Sequence, residues 1–163
     1  MTWVKLSGTS AEVSTEPVAW ADYAQFARDT GRPVPRLSGR STEPVTRVGA
    51  QHAMAYAEWL SQRDGCRYRL PTLDEMSSLA EWAQRTGSMW PCRGEQRNRQ
   101  ADHAPSCLTE WLQCESGLGN GKTLRCITYP AWLLKRGSYT PRATLLEGPR
   151  SFVTFRLVRS AGA

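Results

Sequence analysis

The sequence predicts an α+β domain, and three observations support this fold class. Amphipathic periodicity typical of helices is confined to the first half of the chain, short β-rich segments occupy the second half, and turn-forming residues (13 Gly and 10 Pro) separate them. Helices and strands that are segregated along a chain are typical of α+β folds. The length of 163 residues, with 40% hydrophobic residues, is that of one globular domain. We therefore expect residues 1–163 to form a single domain.

The first quarter of the chain predicts one strand and one helix. Residues 1–15 favour a short strand from Trp3 to Leu6, followed by a turn rich in Ser and Thr. The segment EPVAWADYAQFARDTGR predicts an amphipathic helix, because its apolar residues recur at spacings of three and four. Gly31 ends this helix as a C-terminal glycine. Three prolines then indicate a loop over 32–44.

Two further helices are predicted before residue 87. QHAMAYAEWLSQRDG places its apolar residues on one face and ends at Gly65, and RYRLPT then favours a short strand running into a turn. Thr72 is a suitable N-cap, and Glu75 three residues later completes a capping box for a helix at 73–86. The residues of that helix expected to face the core are Met76, Leu79 and Trp82.

The second half predicts short strands within long loops. The polar, basic stretch from Trp90 to Pro105 has no period and favours a surface loop. LTEWLQC at 108–114 favours a short strand, and 125–134 is apolar and β-rich. Residues 135–150 are expected to be mostly loop. The alternation in 152–159 predicts one last strand.

The charge balance limits the partners that this chain is expected to bind. A net charge of +6 and a pI of about 9.4 permit binding to nucleic acid or to an acidic protein surface. The basic residues are scattered, and the densest cluster is Arg93, Arg97 and Arg99. This distribution favours a solvated basic surface, so nucleic-acid binding is the least favoured alternative.

Cysteine usage and hydropathy indicate a cytoplasmic chain with no membrane contact. Five cysteines at irregular spacing make a poor disulfide framework. The start MTWVKLSG has no apolar core and no small-residue cleavage site, which predicts no signal peptide. No stretch approaches 18 apolar residues, so no membrane span is expected. We therefore expect reduced thiols in the cytoplasm.

Several segments, in order, resemble one family. EPVAWADYAQFARDTGR, PVTRV, AMAYAEWLSQRDGCRYRLPTLDEM, LTEW, RCITYPAW and TFRLVR together resemble the formylglycine-generating enzymes, also called sulfatase-modifying factors. The resemblance covers nearly all of the chain. It implies a C-type-lectin-like fold with little regular secondary structure, two to three helices and short antiparallel strands.

The resemblance breaks where the catalytic relatives carry their chemistry. Those relatives bind copper(I) with two cysteines, and the matching positions here, Leu134 and Tyr139, have no thiolate. Their Gly-Gly pair is Tyr129-Pro130 in this chain, and Cys107 replaces an asparagine associated with calcium. A second branch uses iron held by three histidines. This chain has two histidines, His52 and His103. The resemblance therefore implies a degenerate, non-catalytic member with no cofactor and no bound metal.

A second group of residues is expected to tie the loops together. Arg69 and Arg156 carry five donors each, and Glu110 is a plausible carboxylate partner. A structural tie is favoured for each over a ligand contact. Trp111 and Trp132 complete this group.

The favoured function is a non-catalytic binding or accessory module. The segment 133–150 mixes apolar and aromatic side chains with basic ones, which is typical of a protein interface. Its expected partner is an acidic surface of a bacterial redox enzyme, metalloenzyme or regulatory system. The expected partner-binding residues are Lys135, Arg136, Tyr139, Arg142, Leu145, Leu146 and Arg150. The alternative is a metal-dependent oxidoreductase of altered chemistry, which requires Cys92, Cys107 and Cys114 to converge; their spacing matches no zinc pattern.

Overall fold

The computed structural model describes seven stretches of the chain, which are residues 1–6, 10–36, 40–86, 109–113, 124–128, 142–146 and 153–160. They contain the helices α1 (Trp20–Asp29), α2 (Ala50–Asp64) and α3 (Leu73–Thr86). They also contain the strands β1 (Trp3–Lys5), β2 (Ala11–Ser14), β3 (Arg67–Arg69), β4 (Thr109–Trp111), β5 (Leu124–Thr128), β6 (Arg142–Leu146), β7 (Val153–Thr154) and β8 (Val158–Ser160). The α+β class is confirmed. None of the helices in these stretches is both long and apolar enough to cross a bilayer.

The three predicted helices are confirmed, and local chemistry explains their ends. Gly31 and Gly65, which follow α1 and α2, have φ of 65° and 69°, the left-handed conformation in which glycine is least strained. The capping box at the start of α3 is formed. The Thr72 amide donates to Glu75 Oε2 at 2.8 Å, and the Glu75 amide donates to Thr72 Oγ1 at 3.2 Å. The face of α2 predicted to be apolar is buried, at Ala53, Tyr56, Ala57 and Leu60.

The first sheet has the strand order β1-β2-β8-β3, with every pair antiparallel. The expectation that a turn follows Leu6 as far as residue 15 was wrong, because β2 occupies Ala11–Ser14. Ala11 and Val13 are buried, whereas the intervening Glu12 forms an ion pair with Arg159 on β8. Ser14 is buried as well, so the burial of this strand does not alternate strictly, and its small side chains give a weak apolar signal.

The second sheet has the strand order β6-β5-β4-β7, and its β4–β7 pair is parallel. One expectation was wrong here, because the single strand expected at 152–159 is two strands in different sheets. β6 lies inside the segment 135–150, whose other residues lie outside the described part of the chain. The break falls around Arg156, whose buried guanidinium bonds to groups beside both sheets. The chain leaves the second sheet at Thr154 and enters the first at Val158.

Two apolar clusters pack on opposite faces of the first sheet. Residues of α1 and α2 form the larger cluster together with Trp111, Phe155 and Leu157, and Trp3 packs against it. Met76 and Leu79 of α3 belong to the smaller cluster, which Val4 contacts. Neighbouring residues of β1 thus contact different clusters, as a strand with both faces covered requires. The helices therefore cover both faces of the sheet that the chain enters after Arg156.

Candidate functional site

The Arg156 side chain is fully buried and bonds to both sheets. Its Nε and Nη2 atoms donate to the two carboxylate oxygens of Glu110 on β4, at 2.5 and 2.7 Å. Its Nη1 atom donates to the carbonyls of Ser14 and Thr15, each at 3.1 Å, at the end of β2. A planar guanidinium suits this arrangement, because it can bind a carboxylate with two parallel bonds and still donate to carbonyls. These contacts give Arg156 a structural role, because they join the two sheets.

Arg69 makes a similar contact at the start of α3. Its Nη1 and Nη2 atoms donate to the two oxygens of Glu75 at 2.7 and 2.6 Å, and Nη1 also donates to the Leu70 carbonyl at 3.2 Å. Burial alone would raise the pKa of Glu75, but hydrogen bonds from Arg69 and from the Thr72 backbone outweigh burial and lower it. The Glu75 carboxylate thus both caps α3 and holds Arg69.

Of the two tryptophans in the expected tie group, Trp111 is described and makes a structural contact. Trp111 is 1% exposed, and its indole Nε1 donates to the Val48 carbonyl at 2.7 Å. This bond connects β4 with the segment just before α2, and it gives the buried indole N–H the acceptor that it needs. Trp132 lies outside the described residues.

The expected partner-binding residues are only partly described. Arg142, Leu145 and Leu146 lie on β6, which pairs with β5 in antiparallel register. Among the described residues, β6 is the outermost strand on one side of the second sheet. Successive strand positions belong to opposite faces of a sheet, so positions 145 and 146 belong to different faces. The remaining members, outside the described residues, are Lys135, Arg136, Tyr139 and Arg150.

The three cysteines that the metal-binding alternative requires lie outside the described part of the chain. Cys92, Cys107 and Cys114 belong to stretches that are not described. In the described stretches, Cys66 is a half-buried free thiol, and no group of three His, Cys, Asp or Glu side chains is arranged to hold a metal ion. His52 is exposed on α2.

A polar cleft that sequence analysis did not predict lies where α1, α2 and the first sheet meet. It has a volume of about 370 Å³, and its lining includes Trp3, Asp22, Tyr56, Arg63, Tyr68 and Arg159. We call it the Tyr56 cleft. Periodicity marked Tyr56 as a core residue, and it is indeed 1% exposed. A period cannot reveal that a core tyrosine also lines a cleft formed by residues distant in sequence.

Comparison with known proteins identifies the family. Residues 2–126 match the family model described as the sulfatase-modifying factor enzyme 1-like domain. The solved structure of PvdO from Pseudomonas aeruginosa is similar in fold, with a TM-score of 0.61 at 16% identity, over 92% of this chain and 80% of that chain. A search of the curated proteins found no significant match. The predicted resemblance and fold are confirmed, and the chain belongs to the family of sulfatase-modifying factor enzyme 1-like domains.

Proposed function

We propose that this protein is a non-catalytic binding module that docks onto an acidic protein surface through β6 and the segments beside it. The observation that carries the proposal is the position of β6 at one side of the second sheet, with Arg142, Leu145 and Leu146 on it. A strand in that position can receive a partner by side-chain contact or by strand addition. The partner we favour is a bacterial cytoplasmic redox enzyme, metalloenzyme or regulatory protein.

The sequence at the positions that match the copper site supports a non-catalytic role. Leu134 and Tyr139 stand where the catalytic relatives have thiolates, and neither side chain is a ligand for a soft metal. The charge of +6 favours an acidic partner, because complementary charge accelerates encounter and suppresses wrong partners.

The test is a pull-down from the native host that compares charge-reversed variants. Arg136→Glu and Arg142→Glu should each lose the partner, because each replaces an attractive contact with a repulsive one. Arg40→Glu is the matched control, since Arg40 is exposed and distant in sequence from β6. With the purified partner, we expect each reversal near β6 to raise the dissociation constant by about tenfold or more and to reduce its salt dependence.

Two results would contradict the proposal. The first is a partner that all three variants retain equally. The second is stoichiometric transition metal in protein purified without chelators. Metal of that amount, lost on replacing Cys92, Cys107 or Cys114 by Ser, would favour the altered oxidoreductase.

A further inference from the structure

β6 has one side that pairs with no described strand. All five of its residues, Arg142–Leu146, pair with β5 in unbroken antiparallel register. Among the described residues, β6 is the outermost strand of the second sheet on this side. The unpaired side of an outermost strand presents a row of backbone N–H and C=O groups to which another chain can bind.

The outer strands of the first sheet carry features that hinder the addition of a further strand. On β3, the Tyr68 amide donates to Ser61 Oγ at 2.8 Å, so α2 covers the outer side of this strand. β1 has three residues and ends at the exposed Lys5. Proteins commonly protect sheet edges by shortening the outer strand, by covering it or by placing a lysine on it.

β6 differs from these outer strands in length and in charge. It has five residues, and the last four, Ala143, Thr144, Leu145 and Leu146, carry no charge. β7, the outermost described strand on the other side of the second sheet, has two residues. Among the described strands, β6 is therefore the outer strand best suited to pair with an extended segment of another chain.

The charge near β6 favours an acidic segment over a second copy of this chain. Arg142 begins β6, and Arg125 lies on β5 in register with Leu145. The segment 133–150 contains four basic residues and one acidic residue, Glu147. A second copy carries the same net charge of +6, so repulsion opposes its approach, whereas an acidic segment is attracted.

We infer that β6 binds an extended acidic segment of the partner protein by strand addition. This inference rests on the proposed docking through β6 and specifies how the partner is held. Backbone hydrogen bonds hold the segment against the open side of β6, and its alternate side chains lie on opposite faces of the sheet. A carboxylate on the segment opposite Arg142 supplies the complementary charge.

The test is amide hydrogen exchange of the whole protein, measured by two-dimensional NMR with and without the peptide acetyl-Glu-Val-Thr-Val-Glu-amide. In an antiparallel pair, the N–H groups of alternate residues point toward the partner strand. In the free protein, the outward N–H groups of β6 should therefore exchange faster than those bonded to β5. Saturating peptide should slow the outward groups by about tenfold or more and change the inward ones little.

Two control peptides separate backbone pairing from attraction between charges. The fully N-methylated peptide keeps the side chains and the charge but has no N–H donors, so it should give no protection of β6. The peptide in which both Glu are replaced by Lys should bind about tenfold more weakly or worse, because it is repelled by the basic surroundings of β6.

Two adjacent proline variants test the same pairing from the protein side. Ala143→Pro and Thr144→Pro remove neighbouring N–H groups, of which one faces β5 and the other faces outward. Exchange in the free protein identifies the outward one. Proline is tolerated in an outer strand where its position faces solvent, so this variant should keep the wild-type fold and bind the peptide about tenfold more weakly.

Three outcomes would overturn the inference. They are no saturable binding of the acidic peptide, binding that leaves the outward amides of β6 unprotected, and equal binding of the N-methylated peptide. Failure of the docking proposal is a separate result. If Arg142→Glu loses the partner while the outward amides stay unprotected, docking occurs through side chains alone; if every charge-reversed variant retains the partner, docking through β6 is itself wrong.

Discussion

At the scale of single residues, Glu75 shows most clearly how contacts of one side chain affect the stability of the fold. Its carboxylate accepts two bonds from Arg69 and one from the Thr72 amide, all between 2.6 and 2.8 Å. Bonds to the charged form lower the pKa of Glu75 below its ordinary value of 4.5. A carboxylate whose pKa is lower in the folded than in the unfolded state stabilises the fold above the unfolded pKa, and this stabilisation is lost as the pH falls through the folded pKa.

We therefore predict a pH-dependent cost for Glu75→Gln. Near pH 7 the variant should unfold with a free energy about 1 kcal/mol lower than the wild type, because glutamine keeps a capping oxygen but loses the ion pair. The difference should shrink as the pH falls from the ordinary pKa of 4.5 through the lower pKa of the folded state, where the folded carboxylate gains its proton. Urea unfolding at a series of pH values measures it. Glu58→Gln, at an exposed carboxylate of α2, serves as the control and should give a small difference. A difference for Glu75→Gln that stays constant with pH would contradict the assignment.

At the scale of the elements, the helix boundaries are locally encoded. Each boundary discussed above depends on one or two adjacent residues, such as Thr72 with Glu75 or the glycines after α1 and α2. Strands depend instead on partners far along the chain. β2 is paired on one side by β1 and on the other by β8, so its pairing needs residues more than 140 positions away, as in Val13 opposite Val158.

The left-handed glycine after α2 allows a test of local encoding. Gly65→Ala should lower the free energy of unfolding by about 1 kcal/mol, because an alanine at φ of 69° is strained. The cost is conformational, since an added Cβ would meet no atom within 4 Å. Gly65→Asn should cost less, because asparagine tolerates this conformation better. Urea unfolding of both variants checks the order, and a larger loss for asparagine would show that side-chain crowding decides the site.

At the scale of the whole molecule, Arg156 connects the two sheets. It binds Glu110 of the second sheet and the carbonyls at the end of β2 in the first, and its side chain has 0% exposure against 2% for Glu110. Removing one partner of such a pair leaves an uncompensated buried charge. The surface pair Arg63–Asp64, with side chains 53% and 32% exposed, provides a natural comparison.

We predict very different costs for matched substitutions in these two pairs. Arg156→Met should lower the free energy of unfolding by about 3–5 kcal/mol, whereas Arg63→Met should change it by less than about 1 kcal/mol. The double variant Arg156→Met with Glu110→Leu should recover part of the loss, because no buried charge then remains. Chemical denaturation of the wild type and these three variants measures the costs and the recovery, and equal losses for Arg156→Met and Arg63→Met would refute the account.

The sequence alone determined the features that depend on near neighbours. Helical periodicity and the Thr72–Glu75 pair predicted the extent of α3, and the ordered segments around RYRLPT predicted the family. The arginines at 69 and 156 were expected as ties, with Glu110 as a plausible carboxylate. The sequence could not assign these partners, because the pairs Arg69–Glu75 and Arg156–Glu110 form only when the chain is folded.

The tertiary structure alone decided the features that depend on distant segments. It placed β2 where composition favoured a turn, divided 152–159 between two sheets at Arg156, and put β6 at the side of the second sheet. It also brought Trp3, Asp22, Tyr56 and Arg159 to one cleft, although they span most of the chain. The physical reason is the same in each case: strand pairing and cleft formation depend on contacts between residues far apart in sequence, and neither periodicity nor local composition encodes them.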